Sequence, residues 1–164
     1  MFLETDRLYI RPFAAPDIRA YARIVADPEV MRYIGDGRTH SCREARAYVE
    51  GCMAKQAELG FSRYAVALKD SGRLIGFCGY AHFNGDLDFG WRLERRSWRK
   101  GYGTEAASAV LRYGLEVLQF PLIVAICFPA NFASVRVMQK IGMDFDGYRS
   151  LNGKSIIRYV KRQA

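Results

Sequence analysis

The sequence predicts one α+β domain: a mixed, mostly antiparallel sheet of about seven strands flanked by four helices. Three observations predict it. Apolar residues recur with a helical period in some segments and a strand period in others. Lys69-Asp70-Ser71-Gly72 and Asn152-Gly153 are turn sequences that join strand patterns directly. Between residues 87 and 127 a strand, a glycine-bearing loop, a helix and a second strand follow in order, which demands a crossover inside the sheet. The 164 residues suffice for one core, and no linker or repeat divides them, so the expected domain is 1–164.

Leu8–Pro12 reads as the first strand, ended by Pro12. Ala15-Pro16-Asp17 opens a helix, because proline suits a first turn and Ile18, Tyr21, Ala22 and Val25 share a face. Asp27-Pro28 stops it; a helical turn follows at Val30–Ile34, then the flexible Gly35-Asp36-Gly37. Ser41 with Glu44 three residues on is a capping-box pattern. The helix it starts carries Ala45, Tyr48, Val49, Cys52 and Met53 on its apolar face, and Gly60 ends it. Arg63–Leu68 and Arg73–His82 form a hairpin, and Leu87–Leu93 extends it to a meander. A helix is expected at Tyr102–Gln119, with Ala106, Ala109, Val110, Tyr113, Val117 and Leu118 inward, broken by Pro121. Leu122–Cys127 is a continuous apolar run, the pattern of a strand buried on both faces. Asn131 caps a helix that turns Val135, Met138 and Ile141 inward and ends at Gly142. Phe145–Ser150 and Ser155–Lys161 are the last strands.

Bulk chemistry narrows the function. Half the residues are apolar and 26% are charged, an ordinary globular balance. A net charge of +8 favours an anionic partner: a polyphosphate, nucleic acid or an acidic protein surface. No apolar stretch approaches a membrane span, and the N-terminus lacks a signal-peptide pattern, so a cytoplasmic protein without membrane partners is expected. Cys42, Cys52, Cys78 and Cys127 form no CxxC pair and read as buried free thiols of a reducing compartment. His40 and His82 have no ligand spacing around them, so no metal site is expected.

The segment that carries chemistry is Trp98-Arg99-Lys100-Gly101-Tyr102-Gly103-Thr104, between a strand and a helix. A helix start exposes N–H groups without intrahelical partners, and its dipole adds positive potential, so it binds phosphate. Glycine lets the backbone approach the anion. Arg99 and Lys100 add charge and Thr104 a hydroxyl. A glycine pair alone also fits a solvated turn that merely starts a helix.

The chain resembles the GNAT superfamily of N-acetyltransferases, and within it the Rim-type branch that includes ribosomal-protein N-terminal acetyltransferases. The resemblance covers nearly the whole chain. It runs through Thr5–Pro12, Leu74–Gly79 and Asp88–Trp91, is sharpest at Lys100-Gly101-Tyr102-Gly103-Thr104-Glu105-Ala106, and ends at Asn131–Met143. It implies a GNAT-type fold, acetyl-coenzyme A as co-substrate and an amine acceptor: a protein N-terminus, a polyamine, an aminoglycoside or an amino acid. Gly101 and Gly103 match the small positions of the superfamily's pyrophosphate motif, whereas Trp98 departs from its first position in the way usual for the Rim-type branch. The pantetheine arm is implied to pair with the strand ending Trp91-Arg92-Leu93, which splays from its neighbour to admit the thioester. Asn131 corresponds to a residue near the pantetheine or phosphates. Arg136 is implied as a partner for the adenosine phosphates; a solvent-facing helix residue is the alternative.

Acetylation by direct attack needs a neutral amine, a proton acceptor, a donor to the thioester oxygen and a partner for the departing thiolate. Asp88 stands where Rim-type sequences commonly carry a carboxylate and is the candidate base, expected near the sheet centre; a structural or substrate-orienting carboxylate is the alternative. Glu94 is expected to be solvated, and Glu105 to complement the helix dipole. The tyrosine that many members use on the thiolate is replaced by Met138, so Ser134 is the candidate, against a role in capping alone. Cys127, on an apolar strand, is not expected to act as a nucleophile. Tyr33, Phe83 and Tyr148 are candidates to wall the acceptor groove, or else core residues. Like charges disfavour a strongly cationic acceptor.

Two other classes compete. Arg92, Arg95, Arg96, Arg99 and Lys100 with Trp91 and Trp98 could grip nucleic acid, although that partner is not favoured. A family member that binds acetyl-coenzyme A only as a sensor would also lack the tyrosine. A homodimer is compatible with either enzyme or sensor.

Overall fold

A computed structural model describes residues 2–163. It contains an eight-stranded sheet in the order β1-β2-β3-β4-β5-β6-β8-β7. The strands are β1 (Leu3–Glu4), β2 (Leu8–Pro12), β3 (Arg63–Leu68), β4 (Leu74–Phe83), β5 (Asp86–Leu93), β6 (Leu122–Cys127), β7 (Asp144–Leu151) and β8 (Lys154–Arg162). The helices are α1 (Asp17–Val25), α2 (Pro28–Met31), α3 (Cys42–Leu59), α4 (Tyr102–Glu116) and α5 (Phe132–Lys140). The architecture is the expected α+β one, with one more strand and one more helix. The additions are β1, which pairs Leu3 with Ile10 and Glu4 with Tyr9, and α2, where only a turn was expected.

Every neighbouring pair is antiparallel except β5 and β6, which α4 joins as a parallel crossover. That pair meets in register only at Asp88 and Val124. Beyond Asp88 the two strands part, and the sheet opens there.

Two apolar cores cover the faces. α4 and α5 pack over Tyr64, Val66, Cys78, Tyr80, Phe89 and Leu93. α1, α2 and α3 pack over Ala65, Leu74 and Phe77 through Tyr21, Val25, Met31, Ala45 and Val49. Local signals explain the helix ends. The capping box forms as expected, with Ser41 and Glu44 bonding reciprocally, and Gly60 ends α3 with a left-handed backbone. Asn152 and Gly153 both take positive φ, 50° and 75°, as a tight two-residue hairpin requires.

Several expectations need correction. α4 ends at Glu116 rather than Gln119, because the chain wraps back through Phe120 N–H to Gly114 O and Gln119 turns left-handed. Its inward face is Ala106, Ala107, Val110, Leu111 and Gly114, and Val117 is largely exposed. The face is set by Tyr80, which lies against Gly114 and donates its hydroxyl to Val110 O at 2.6 Å; a side chain at 114 would collide with it. Met53 reaches the surface. Cys52 and Cys78 are buried, Cys127 is partly so and Cys42 is exposed, because the first residue of α3 faces solvent. No helix among the described residues is long and apolar enough to cross a membrane, and no three His, Cys, Asp or Glu side chains among them come together as metal ligands would.

Candidate active site

The opening between β5 and β6 widens into a cleft of about 1450 Å³. That exceeds the roughly 300–1,000 Å³ of ordinary small-molecule pockets, leaving room for two reactants. β5 supplies one wall and β6 the other, the start of α4 and the first turns of α5 close one end, and residues 29–36 and the β7–β8 turn border the other.

The α4 end leaves backbone donors without protein partners among the described residues. Gly101 precedes the helix with φ at +83°, a conformation that costs a side-chain-bearing residue about 1–2 kcal/mol. No side chain caps it, and the first intrahelical bond runs from Glu105 N–H to Gly101 O. The amides of Tyr102, Gly103 and Thr104 are therefore free for a ligand. These three, Arg99 and Gly101 line the cleft. Lys100 does not, and its carbonyl accepts from Arg7 Nη1 at 2.9 Å.

Arg7 and Glu105 brace this loop from behind. The Glu105 carboxylate accepts from Thr5 Oγ1 at 2.6 Å, Arg7 N–H at 2.9 Å and Arg7 Nε at 2.7 Å. Arg7 also stands over the Tyr102 ring, 4.4 Å from its centroid. Burial alone would raise the Glu105 pKa, but the Thr5 and Arg7 donors outweigh it and hold it below the usual value. Glu105 thus ties the first strands to the loop, beyond its expected place beside the dipole.

Side chains alternate along β5. Phe89 and Leu93 enter the core under α4, and Trp91 packs on Phe89 at 5.4 Å. Asp88, Gly90 and Arg92 face the α1–α3 side. Asp88 forms an ion pair with Arg63 Nη2, and Arg63 Nη1 donates to Gly79 O. Gly90 leaves room for this pair, since a Cβ there would stand 2.9 Å from Arg63 Nη1 and push the guanidinium aside. Arg92 donates to Tyr21 Oη at 2.9 Å. A second cavity of about 230 Å³, bordered by Asp86, Asp88 and Arg158, adjoins the cleft, so Asp88 stands at the boundary of both.

Asn131 Oδ1 accepts from Ser134 N–H at 3.2 Å and so starts α5, while both residues also line the cleft. Arg136 is exposed on the same helix and borders the cleft. Tyr33 and Phe83 line the cleft; Tyr148 is largely exposed and packs on Phe145 at the sheet edge instead. Glu94 is not solvated as expected: Arg73, Arg96 and Ser97 surround its carboxylate. Burial pushes its pKa up, but these donors bring it below the usual value. Burial lifts the Cys127 thiol to about 11, which leaves it protonated and a poor nucleophile. The basic run forms no single face, because Arg92 turns inward to Tyr21 and Arg96 turns to Glu94.

The sequence reading missed Arg63 and the bracing role of Arg7. Arg63 had one signal, a charge opening the otherwise apolar run Arg63–Leu68. Arg7 lies in the opening stretch that carried the resemblance, and nothing local pointed it at residue 105.

Comparison with known proteins bears on the same features. Residues 7–144 match the model of the acetyltransferase (GNAT) domain family. The chain is 35% identical over 150 residues to YnaD of Bacillus subtilis (strain 168), described as an uncharacterized N-acetyltransferase, covering 90% of this chain and 85% of that one. The crystal structure of a GNAT-family acetyltransferase from Bacillus anthracis superimposes with a TM-score of 0.88 at 30% identity, covering 99% of each chain. RimL, a ribosomal L7/L12 α-N-protein acetyltransferase solved with coenzyme A, has a TM-score of 0.84 over 99% of this chain and 98% of that one, at 16% identity, and so shares the fold. The free amides at α4, the opened sheet and these matches agree: the chain belongs to the GNAT acetyltransferase family and is an acetyltransferase.

Proposed function

We propose that this protein, acting as one domain, transfers the acetyl group of acetyl-coenzyme A to a primary amine, a protein N-terminal α-amine or a small-molecule amine, by direct attack in a ternary complex. The observation that carries this reading is the uncapped start of α4, whose free amides open into the same cleft as the parted β5 and β6 strands. The Tyr102, Gly103 and Thr104 amides with Arg99 would hold the pyrophosphate, and Lys100 and Arg136 would add positive charge around it. The backbone of Trp91, Arg92 and Leu93 would pair with the pantetheine as an added strand does. Asn131 would bound the arm on the α5 side.

The acceptor nitrogen attacks the thioester carbonyl, the N–C bond forms and the C–S bond breaks. A backbone N–H of β5 stabilises the charge on the oxygen. Asp88 takes the amine's proton: Arg63 engages Oδ2, and Oδ1 has no hydrogen-bond partner among the described residues. The Ser134 hydroxyl stabilises the leaving thiolate, as its backbone N–H is already occupied by Asn131. Holding both reactants aligned supplies the rest. The Rim-type relatives support a protein α-amine as one acceptor class by their fold alone. A cytoplasmic location suits a protein dependent on acetyl-coenzyme A.

The test is thiol release with acetyl-coenzyme A against a panel of amines that includes N-terminal peptides. Transfer to at least one amine is expected, with kcat reduced at least tenfold in Asp88→Asn and KM for acetyl-coenzyme A retained. A stability unchanged by millimolar acetyl-coenzyme A, with no transfer to any amine, would refute the proposal.

A further inference from the structure

The acceptor side of the cleft holds more positive charge than the protein neutralises. Arg63 and Arg92 flank one ring, with guanidinium carbons 5.6 Å and 5.3 Å from the Phe77 centroid. Arg63 is satisfied by Gly79 O and the Asp88 carboxylate. Arg92 is not. Its Nη1 donates to Tyr21 Oη, its Nε is buried with no acceptor among the described residues, and no carboxylate among them pairs with it.

Nothing around it supplies the missing charge at neutral pH. Burial raises the Tyr21 pKa to about 12 and that of Cys52 to about 11. Tyr48 and Cys78 are pushed up by burial as well. All four side chains are therefore neutral. The carboxylates at the rim face elsewhere: Glu29 lies 3.9 Å from Arg32 and Asp36 lies 3.4 Å from Arg38. A guanidinium removed from water is expensive unless an anion meets it.

Arg92 lines the cleft. Its Nη2 carries no hydrogen bond among the described residues, so the guanidinium keeps a charged donor for a carboxylate oxygen, while Nε stays enclosed. Asp88 and Arg92 share one face of β5, four residues and roughly 13 Å of backbone apart. One groove thus has a carboxylate at one end and an unpaired guanidinium at the other. We propose that Arg92 anchors a carboxylate on the acceptor, so that the substrate class is a small primary amine that also bears a carboxylate, of amino-acid type. The inference rests on the acetyl-transfer reading and specifies its acceptor.

Matched pairs test it: amino acids and ω-amino acids of increasing length against their carboxamides, with acetyl-coenzyme A as donor. Two readouts are needed, kcat/KM by thiol release and the shift in melting temperature with coenzyme A present, which reports binding without chemistry. The carboxylate member is expected to be favoured at least tenfold in kcat/KM for one chain length, and to give the larger thermal shift. In Arg92→Gln the preference is expected to fall to within about twofold, and Arg92→Lys to restore part of it, since it returns the charge but not the planar guanidinium. Transfer to amines with no carboxylate preference in the wild-type protein, by rate or by thermal shift, overturns the assignment and leaves acetyl transfer standing. No transfer to any amine and no stabilisation by coenzyme A overturns both.

Discussion

Replacing Glu105 by alanine should weaken acetyl-coenzyme A binding through a residue that does not touch the cofactor. Glu105 collects the Thr5 hydroxyl, the Arg7 N–H and the Arg7 guanidinium, and Arg7 in turn holds the Lys100 carbonyl and covers Tyr102. Hydrogen bonds to a charged acceptor contribute about 1.5–3 kcal/mol each when sheltered. The Arg7 side chain is 47% exposed, so its ion pair adds only about 0.5 kcal/mol. Only the Thr5 bond is partly sheltered, and with the exposed Arg7 contacts the total is about 2 kcal/mol, or about 4–8 °C in Tm for a domain of this size. Once released, the loop must be reordered by the ligand, and KM for acetyl-coenzyme A should rise about tenfold, equivalent to about 1.4 kcal/mol. Thermal melts and thiol-release kinetics read the two effects separately. The sign with pH follows from the lowered pKa of Glu105. Its contribution is complete above the ordinary carboxylate value and is lost as pH falls through the lowered one. The gap between wild-type and Glu105→Gln melting temperatures should therefore close in acid. A variant that melts early yet keeps its KM for acetyl-coenzyme A would show that the brace holds only the first strands, and the reasoning would fail.

Gly101→Ala should also raise KM for acetyl-coenzyme A, since φ is +83° there and a Cβ would stand 3.2 Å from Arg7 Nη2, whereas Gly103→Ala, with nothing nearer than 3.8 Å, should leave Tm unchanged. Iodoacetamide at pH 8 should modify the exposed Cys42 first and leave Cys127 and Cys52 largely unreacted, because burial holds both thiols near 11; peptide mass mapping gives the order, and early Cys127 labelling would contradict it.

What the sequence made legible was mostly local. The Ser41–Glu44 box, the Asn152-Gly153 turn and the Asn131 cap each need only a few adjacent residues, and all three form. β1 is two residues long, too short to show any period. The inward face of α4 was misread because Gly114 has no apolar side chain to count, yet Tyr80, thirty-four positions earlier, fills the space it leaves. Glu94 looked solvated amid basic neighbours, but those neighbours and Arg73 are what enclose it. The Arg63–Asp88 pair spans 25 positions, and only the register of β3, β4 and β5 brings the two together. The free backbone amides at 102–104 were readable from local sequence; residues that act through a long-range partner were not.

The single registered contact between β5 and β6 explains why Asp88 is where it is. Strands that part must leave N–H and C=O groups unpaired, and buried groups of that kind are costly unless something meets them. The residue at the point of parting is the last on β5 that β6 holds in place. A carboxylate there has a fixed backbone, a guanidinium fixed behind it by Gly79 O, and an open cleft in front. One residue further along, the side chain would enter the core under α4, as Phe89 does; two further along, a side chain would press on the Arg63 guanidinium and displace it. Among these three positions, 88 is the one from which a carboxylate can be both held and open to the groove, and the strand it sits on runs on to Leu93 with that edge unpaired by β6. The proposed proton acceptor and the proposed cofactor rail would thus both be consequences of one break in one ladder.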